Sequence, residues 1–282
     1  MRKIRVLVNG LPGKMARAVA KAVAQSEDME LIPYSLTGPE IVSKYEVIEG
    51  NEIELFGPDE VSMLVSLLEI DGSPDIVVDA TAPSAVKENT YLYTMNLWPF
   101  VLLTTGDHLD YIKDLVSGAQ KLGGNYNAVV SPNMAEDVVM IQAMFEFAAS
   151  NFPGAFKRFS AEIVESHQKG KKDTSGTAKA IVESLNILGV DAAVEKIIKR
   201  REDESYQSMG IPAEHWAGHG WHTYSLERDD KNVSLKFTHN VNGRQPYVDG
   251  TLNAIRFLFN VQEKQSSFGK VFSMIDVIKG SQ

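Results

Sequence analysis

The chain has 282 residues, a formal net charge of −9 and an isoelectric point near 5.2. That acidity argues against a nucleic-acid or anionic-membrane partner, and the lack of cysteine removes disulfides, thiolate metal sites and cysteine nucleophiles. With 44% hydrophobic and 23% charged residues it reads as an ordinary globular chain with room for two domains, and no run of about 18 apolar residues offers a membrane span.

Residues 4–8, IRVLV, form a β-branched run followed by Asn9-Gly10-Leu11-Pro12-Gly13-Lys14-Met15. Helical spacing then takes over at Ala16, Val19, Ala20 and Val23. Strand, glycine turn, helix is the context that a dinucleotide fingerprint requires. Gly10 allows the tight turn, Gly13 lets backbone approach a phosphate, and Ala16 keeps the helix near the strand. The spacing departs from the commoner Gly-x-Gly-x-x-Gly, and a plain strand–helix turn is the competing reading. The strand is expected to start within three residues of Met1, which leaves no room there for a signal or transit peptide.

The next strand, Glu30 to Leu36, runs into Thr37 and Gly38. An NAD-selective site carries an acid there for the ribose hydroxyls. Small hydroxyls such as Ser35, with Lys14 beside the turn, favour the 2′-phosphate of NADP instead; Glu40 is the counterweight. Residues 38–58 read as acidic and irregular apart from a short strand at Glu52–Phe56. The pattern continues as a helix from Asp59 to Leu68, a strand over Ile76–Thr81, a helix from Ser84, a strand over Phe100–Thr105, a helix through Ile112–Leu122 and a strand over Asn127–Ser131. Such alternation predicts a parallel, doubly wound sheet, whose ligands bind beyond the carboxyl ends of its strands. Thr81, Thr104, Thr105, Gly106, Ser131, Pro132, Asn133 and Met134 fall there, although loops favour small residues in any case.

Glu136 to Ala149 is predicted as a helix with Val139, Met140, Ala143, Met144 and Phe147 packed on its apolar side. After Pro153-Gly154 the pattern becomes alternation, with Phe159, Ala161 and Ile163 on one face of a strand that runs into His167. Then comes HQKGKKDTSGTA, which brings His167, three lysines (Lys169, Lys171, Lys172) and Ser175-Gly176-Thr177 to the start of an amphipathic helix ending at Gly189. Unpaired N–H groups and a partial positive charge at a helix start, with lysines upstream, make an anion site, and the histidine can carry a proton. A solvated basic turn with a Ser/Thr cap is the plain alternative.

Ala193–Glu202, Gly220–Arg228 and Asn232–Asn240 read as strands, so the second half is an α+β module with a mixed or antiparallel sheet. A spare sheet face there suits subunit contact. His215, His219 and His222 are not taken as a metal site, because Gly218, Gly220 and Trp221 interrupt any helix that would align them. Arg244 lies in a turn that can present it to an anion. Gly250–Asn260 is an apolar helix, and the tail after Ser266 is too apolar to be free.

Together these residues resemble the dihydrodipicolinate reductases of the diaminopimelate route to lysine, over nearly the whole length. The resemblance rests on Gly10-x-x-Gly13-x-Met15, Asp79-x-Thr81-x-Pro83, Thr104-Thr105-Gly106 and above all His167 to Ala178. GHGWHTY and HNVNGR downstream resemble the plant-type branch. The resemblance implies an α/β fold: a Rossmann-like nucleotide-binding domain of residues 1–133 plus 253–282, and an α+β domain of 134–252 for substrate and oligomerisation. It implies NADPH, with NADH as the alternative, and a small dicarboxylate substrate. Gly10, Leu11, Pro12, Gly13, Lys14 and Met15 would hold the pyrophosphate. Thr81, Thr104, Thr105, Gly106 and Ser131 to Met134 would line the ribose and nicotinamide pocket. His167 matches the general acid and Lys171 the second catalytic cation; Gln168, Lys171, Ser175, Gly176, Thr177 and Arg244 would bind the dicarboxylate. No metal is implied. A homodimer is expected, with a homotetramer as the alternative, in a bacterial cytoplasm or, for a plant or alga with its transit peptide removed, the plastid stroma.

The chain departs from the bacterial pattern at two places. Gln168 replaces a second histidine and cannot shuttle a proton, and a proline before Ser-Gly-Thr is missing. Leu103 stands where the family's Gly-Thr-Thr-Gly begins. Two other readings compete: another NADP-dependent oxidoreductase of a small carboxylate, and a non-catalytic NADPH-binding protein. The Lys-x-Asp-Thr-Ser-Gly-Thr stretch speaks against the first, and His167 with Lys171 against the second.

Overall fold

In the computed structural model, which describes residues 2–104, 108–265 and 268–280, the alternation of the first half becomes a parallel sheet. Its elements run β1 (Ile4–Asn9), α1 (Lys14–Gln25), β2 (Met29–Leu31), β3 (Tyr34–Leu36), β4 (Tyr45–Ile48), β5 (Asn51–Phe56), α2 (Val61–Asp71), β6 (Ile76–Asp79), α3 (Val86–Met95), β7 (Phe100–Leu102), α4 (Leu109–Lys121) and β8 (Ala128–Val130). The second half continues with α5 (Glu136–Asn151), β9 (Phe159–His167), α6 (Gly176–Ile187), β10 (Ile198–Arg200), α7 (Asp203–Met209), β11 (His219–Arg228), β12 (Ser234–Asn242), α8 (Gln245–Lys264), β13 (Val271–Phe272) and α9 (Met274–Gly280). The chain divides into two units, Met1–Glu136 with Tyr247–Gln282, and Asp137–Pro246.

The first unit holds a six-stranded sheet in the order β13-β8-β7-β6-β1-β2, parallel throughout. Val6, Leu7, Val8, Ile76, Val77, Phe100 and Val101 are all fully buried, as unbroken apolar strands covered on both faces must be. The chain moves outward from β1 to β2 and returns on the other side of β1 with β6. That reversal opens the crevice where sheets of this kind bind ligands.

Two expectations change here. The single strand foreseen at Glu30–Leu36 is split at Pro33, which has no N–H to give to a ladder. β2 stays in the main sheet, while β3 joins β5 and β4 in a three-stranded sheet. The short strand foreseen at Glu52–Phe56 is β5, and residues read as irregular supply β4, which pairs with it in a hairpin turned by Glu49 (φ 50°) and Gly50 (φ 81°). The apolar tail supplies β13, an edge strand beside β8, and α9, whose Met274 and Val277 are buried.

The second unit holds a four-stranded sheet in the order β10-β9-β11-β12. Side chains alternate along a strand, so register shows which residues share a face. Ile163 pairs with Tyr224, and Tyr224 with Phe237; one step on, Glu165 pairs with His222, and His222 with His239. Ile163 and Tyr224 of the first row join a core with Phe145, Ile181 and Leu185, while Phe237 is partly exposed at its edge. The second row is polar, and it forms where that core meets the loop after β9.

Ala193–Glu202 is corrected to a 3-10 turn at Val194–Lys196, the three-residue β10 and the approach to α7. In α5 the packed face is Val138, Val139, Phe145 and Ala149, so Val139 lies where expected, whereas Met140, Met144 and Phe147 are exposed. That helix is apolar nearly all round, so spacing alone placed Met140, Met144 and Phe147 on the wrong side.

Candidate active site

The turn after β1 is held by backbone. Gly10 has φ 107°, and a Cβ there would lie 2.7 Å from the carbonyl oxygen of Ala80, so only glycine lets this turn pack on the one after β6. The Gly10 N–H donates to Leu36 O (2.8 Å) and the Gly13 N–H to Gly10 O (2.8 Å). Gly13 caps α1, whose first turn carries no acidic side chain and begins with the exposed Lys14. A helix start without a carboxylate and with a lysine at its mouth fits a pyrophosphate.

Ser35 is placed otherwise than expected. It is fully buried; its hydroxyl donates to Leu36 O (3.1 Å) and accepts the Leu11 N–H (3.4 Å), so it props the turn from beneath. Thr37 does the same, donating to Leu11 O (2.6 Å). Lys14 therefore remains the cation beside the turn, with Glu40 folded against Gly38.

Beneath this edge runs a buried network that the sequence did not disclose. Asp79 accepts the N–H (2.9 Å) and hydroxyl (2.6 Å) of Thr81 on one oxygen. On the other it accepts Tyr93 OH (2.7 Å) and Asn89 Nδ2 (3.0 Å). Asn9 donates to Tyr93 OH (2.9 Å) and accepts the Leu36 N–H (2.8 Å). Burial and then Asp79 push the Tyr93 phenol well up, so it stays a donor. Thr104 is half-buried beyond the end of β7, while Thr105 and Gly106 lie outside the described residues. Ser131 donates to Asn133 O (2.7 Å), shaping the 131–134 turn; Pro132 is exposed there and Met134 buried.

In the second unit, the end of β9, the start of β11 and the end of β12 lie at one end of the sheet. His167 Nδ1 donates to His219 O (3.0 Å), which leaves Nε2 as the unprotonated nitrogen of the neutral ring. Nε2 is buried without a partner among the described residues. Burial, then His222, push the imidazole down to about 3 against the pull of Glu165, with Arg201 and Lys171 pushing the same way. The ring of His222 stands edge-on to His167 at 5.0 Å and stacks on His239 at 4.5 Å. His239 is itself pushed down to about 4, by burial and then His222.

Glu165 is fully buried. One oxygen pairs with Arg201 and the other accepts the Ser175 N–H (3.1 Å). His222 Nε2 stands 3.7 Å away, beyond hydrogen-bond reach. Burial opposes its ionisation, but His222, the Ser175 N–H and Arg201 outweigh that and hold it at about 2. Lys171 is paired with the exposed Asp173 (3.0 Å), a pair that an incoming carboxylate can replace. Gln168 is half-buried, and its carbonyl accepts the Lys171 N–H (3.0 Å). Ser175 and Thr177 are buried at the start of α6, around an exposed Gly176. Arg244 follows β12 after Gly243 (φ 72°), beside Gly218, and forms no ion pair among the described residues.

The structure thus gathers His167, Lys171, Ser175–Thr177 and Arg244 at one end of this sheet. Sequence reasoning missed Glu165, Arg201, His222 and His239. Glu165 left a signal, an acid two residues before His167 on a strand face that is otherwise apolar; Arg201 left none. His219 and His222 point to opposite faces, and His219 Nε2 meets Ser166 (2.9 Å). Glu165, His167 and His222 do present ligand atoms within 4.8 Å of one another. The carboxylate is already bonded on both oxygens, however, one of them to Arg201, and Lys171 acts on His167, which is poor company for a metal cation.

A parallel sheet with a glycine turn, in one chain with a unit that displays an imidazole, a lysine and a helix start, has the parts of a nucleotide-dependent oxidoreductase. Comparison narrows the class. The family description "Dihydrodipicolinate reductase, N-terminus" matches residues 4–134, and "Dihydrodipicolinate reductase, C-terminus" matches residues 137–278. The probable 4-hydroxy-tetrahydrodipicolinate reductase 2, chloroplastic, of Oryza sativa subsp. japonica is 38% identical over 276 residues, 97% of this chain and 82% of that protein. The 4-hydroxy-tetrahydrodipicolinate reductase 1, chloroplastic, of Arabidopsis thaliana is 38% identical over 278 residues, 98% and 78% of the two chains. The solved dipicolinate-bound dihydrodipicolinate reductase from Paenisporosarcina sp. TG-14 shares the fold, with a TM-score of 0.64 at 20% identity over 96% of this chain and 97% of that one. The chain belongs to the dihydrodipicolinate reductase family, and it is an NAD(P)H-dependent oxidoreductase. No helix among the described residues is long and apolar enough to cross a membrane.

Proposed function

We propose that the protein reduces 4-hydroxy-tetrahydrodipicolinate to tetrahydrodipicolinate in the diaminopimelate route to lysine, the 4-hydroxyl leaving as water, with NADPH as donor of the hydride and NADH as the alternative. The observation that carries this reading is the meeting of His167, Lys171, Arg244 and the start of α6 at one sheet end, in a chain 38% identical to relatives named for that reaction. Gly10 to Met15, Thr81, Thr104 and Ser131 to Met134 hold the nucleotide, in a domain of residues 1–133 plus 253–282. When bound, the nicotinamide supplies a hydride to the substrate ring. Residues 134–252 hold the substrate, Arg244 and the Gly176–Thr177 amides taking its carboxylates so that the acceptor carbon is held in one pose. Lys171 stabilises the negative charge that develops on the ring.

His167 passes a proton to that charge, and its resting state sets a condition on the step. The neutral ring keeps its proton on Nδ1, bonded to His219 O, so Nε2 has none to give. Two substrate carboxylates placed nearby favour the imidazolium, and the donor therefore forms in the complex. Gln168 can orient a carboxylate or a water but carries no proton of its own. A homodimer is assigned to the substrate domain, with a homotetramer as the alternative. The plastid stroma follows for a plant or algal source and the cytoplasm for a bacterial one.

The test mixes the protein with NADPH and the product that the upstream synthase forms from pyruvate and aspartate semialdehyde, and follows NADPH absorbance. Loss well above the enzyme-free rate is expected; a rate equal to the control removes the assignment.

A further inference from the structure

Glu165 is fully buried, and the side chain of its partner Arg201 is 12% exposed. Taking two charges out of water costs more than their attraction returns unless their other polar groups are bonded, and packed apolar residues serve a fold as well. What else the pair touches is therefore informative. Glu165 Oε2 accepts the N–H of Ser175 (3.1 Å), the residue that caps α6. Arg201 Nε donates to Lys171 O (3.0 Å), and its Nη1 reaches Glu165 O (3.2 Å) and Arg200 O (3.0 Å). The pair thus grips the loop at Lys171 and again at Ser175, the two places from which the proposed substrate is handled.

Charge points the same way. A bare carboxylate beside a dicarboxylate pocket repels its ligand, and Arg201 cancels that repulsion without leaving the interior. Resting on the reductase reading above, we propose that Glu165 and Arg201 are the positioning pair of this reaction: they set Lys171 and the start of α6 together, and they keep the pocket open to a dianion. The Ser175 N–H is then part of the support, and the carboxylate grip lies on Gly176 and Thr177. Ser175 thereby leaves the set of residues expected to touch substrate through its amide.

Dipicolinate titrations and steady-state kinetics on the full-length chain test this. Arg201→Gln strands Glu165, and weakens dipicolinate binding and raises the substrate KM by about tenfold or more, with NADPH affinity within about twofold of the parent. In Glu165→Gln/Arg201→Gln the stranded charge is gone and the amide oxygen still accepts the Ser175 N–H. Dipicolinate affinity then returns to within about threefold of the parent, while kcat stays about tenfold low because Lys171 O has lost its anchor. A merely structural role makes the double variant no better than the single one. Arg201→Lys keeps the charge without the forked reach, so it spares affinity and lowers kcat by about tenfold. Parent-like dipicolinate binding by Arg201→Gln overturns the proposal, as does a double variant with the parent's melting temperature that binds no better than the single one. If Arg201→Gln does not fold, Arg201→Lys decides, and unchanged kcat there overturns it. A parent protein that binds dipicolinate but does not oxidise NADPH refutes the reductase reading instead, and leaves the titrations to judge the pair.

Discussion

The turn after β1 keeps its shape with backbone hydrogen bonds, two glycines and the neutral hydroxyls of Ser35 and Thr37, whereas the loop after β9 is held by a buried carboxylate and a guanidinium 36 positions away from it. Both lead into a helix start. In the first, the turn bonds to neutral backbone and hydroxyl groups of Leu36, Ser35 and Thr37, and no charged side chain among the described residues bonds to it. In the second, a residue on β9 and another just beyond β10 fix a loop that neither belongs to. A phosphate cradle needs only unpaired N–H groups and close approach. A site that must move a proton and hold two carboxylates needs charges at fixed distances, and these come from wherever the sheet brings strands together.

Breaking the second region should cost the most. Lys171→Ala is expected to lower kcat by about two orders of magnitude, read from initial rates, because it removes the cation facing the developing charge. Parent-like turnover would take Lys171 out of the chemistry. Breaking the first region costs affinity instead. Gly10→Ala forces a Cβ to within 2.7 Å of Ala80 O at φ 107°, so NADPH affinity should fall by about tenfold or more and stability by about 1–3 kcal/mol. An unchanged NADPH titration would mean that the turn does not carry the nucleotide.

Acid sharpens the contrast, since His167, His239 and Glu165, buried groups held low, all lie in the second unit. His167 and His239 are held at about 3 and about 4, below the ordinary 6.5, so the unfolded chain takes up protons first as pH falls. The stability they contribute is complete above pH 6.5 and is lost as pH drops toward those values. Glu165, at about 2 against an ordinary 4.5, adds a further loss between those two values. Urea unfolding at pH 5 should give a free energy lower than at pH 7 by about 1–2 kcal/mol for each histidine. Equal values at the two pH points would contradict the buried neutral rings. The smallest effect expected is on the support of the first region. Asp79→Asn keeps an acceptor for Thr81 but weakens the Tyr93 and Asn89 bonds, and should reduce NADPH affinity by about threefold to tenfold.

The parallel sheet was legible because its signals are local. Unbroken apolar runs, a glycine turn and helical spacing each act within a few residues, and they fall where the strands and helices lie. Of the β4–β5 hairpin only β5 was foreseen; β4 was missed because Tyr45 and Val47 face solvent and weaken the pattern. In the loop after β9, His167, Lys171 and the start of α6 could be read from residue type and order. Their supports could not: Arg201 meets Glu165 only because β10 lies parallel to β9, and His222 meets it only through the register of β11. Ser35 shows the reverse failure, since a hydroxyl at a strand end suggested a ligand and burial shows a prop.

The division of labour between the two regions is tested most directly by titrating NADPH into the Lys171→Ala variant, with fluorescence as the readout, beside its turnover. The account predicts an NADPH dissociation constant within about twofold of the parent while kcat has fallen about a hundredfold. A dissociation constant that rises in step with the loss of turnover would contradict it, because the lysine would then serve the nucleotide and not the substrate.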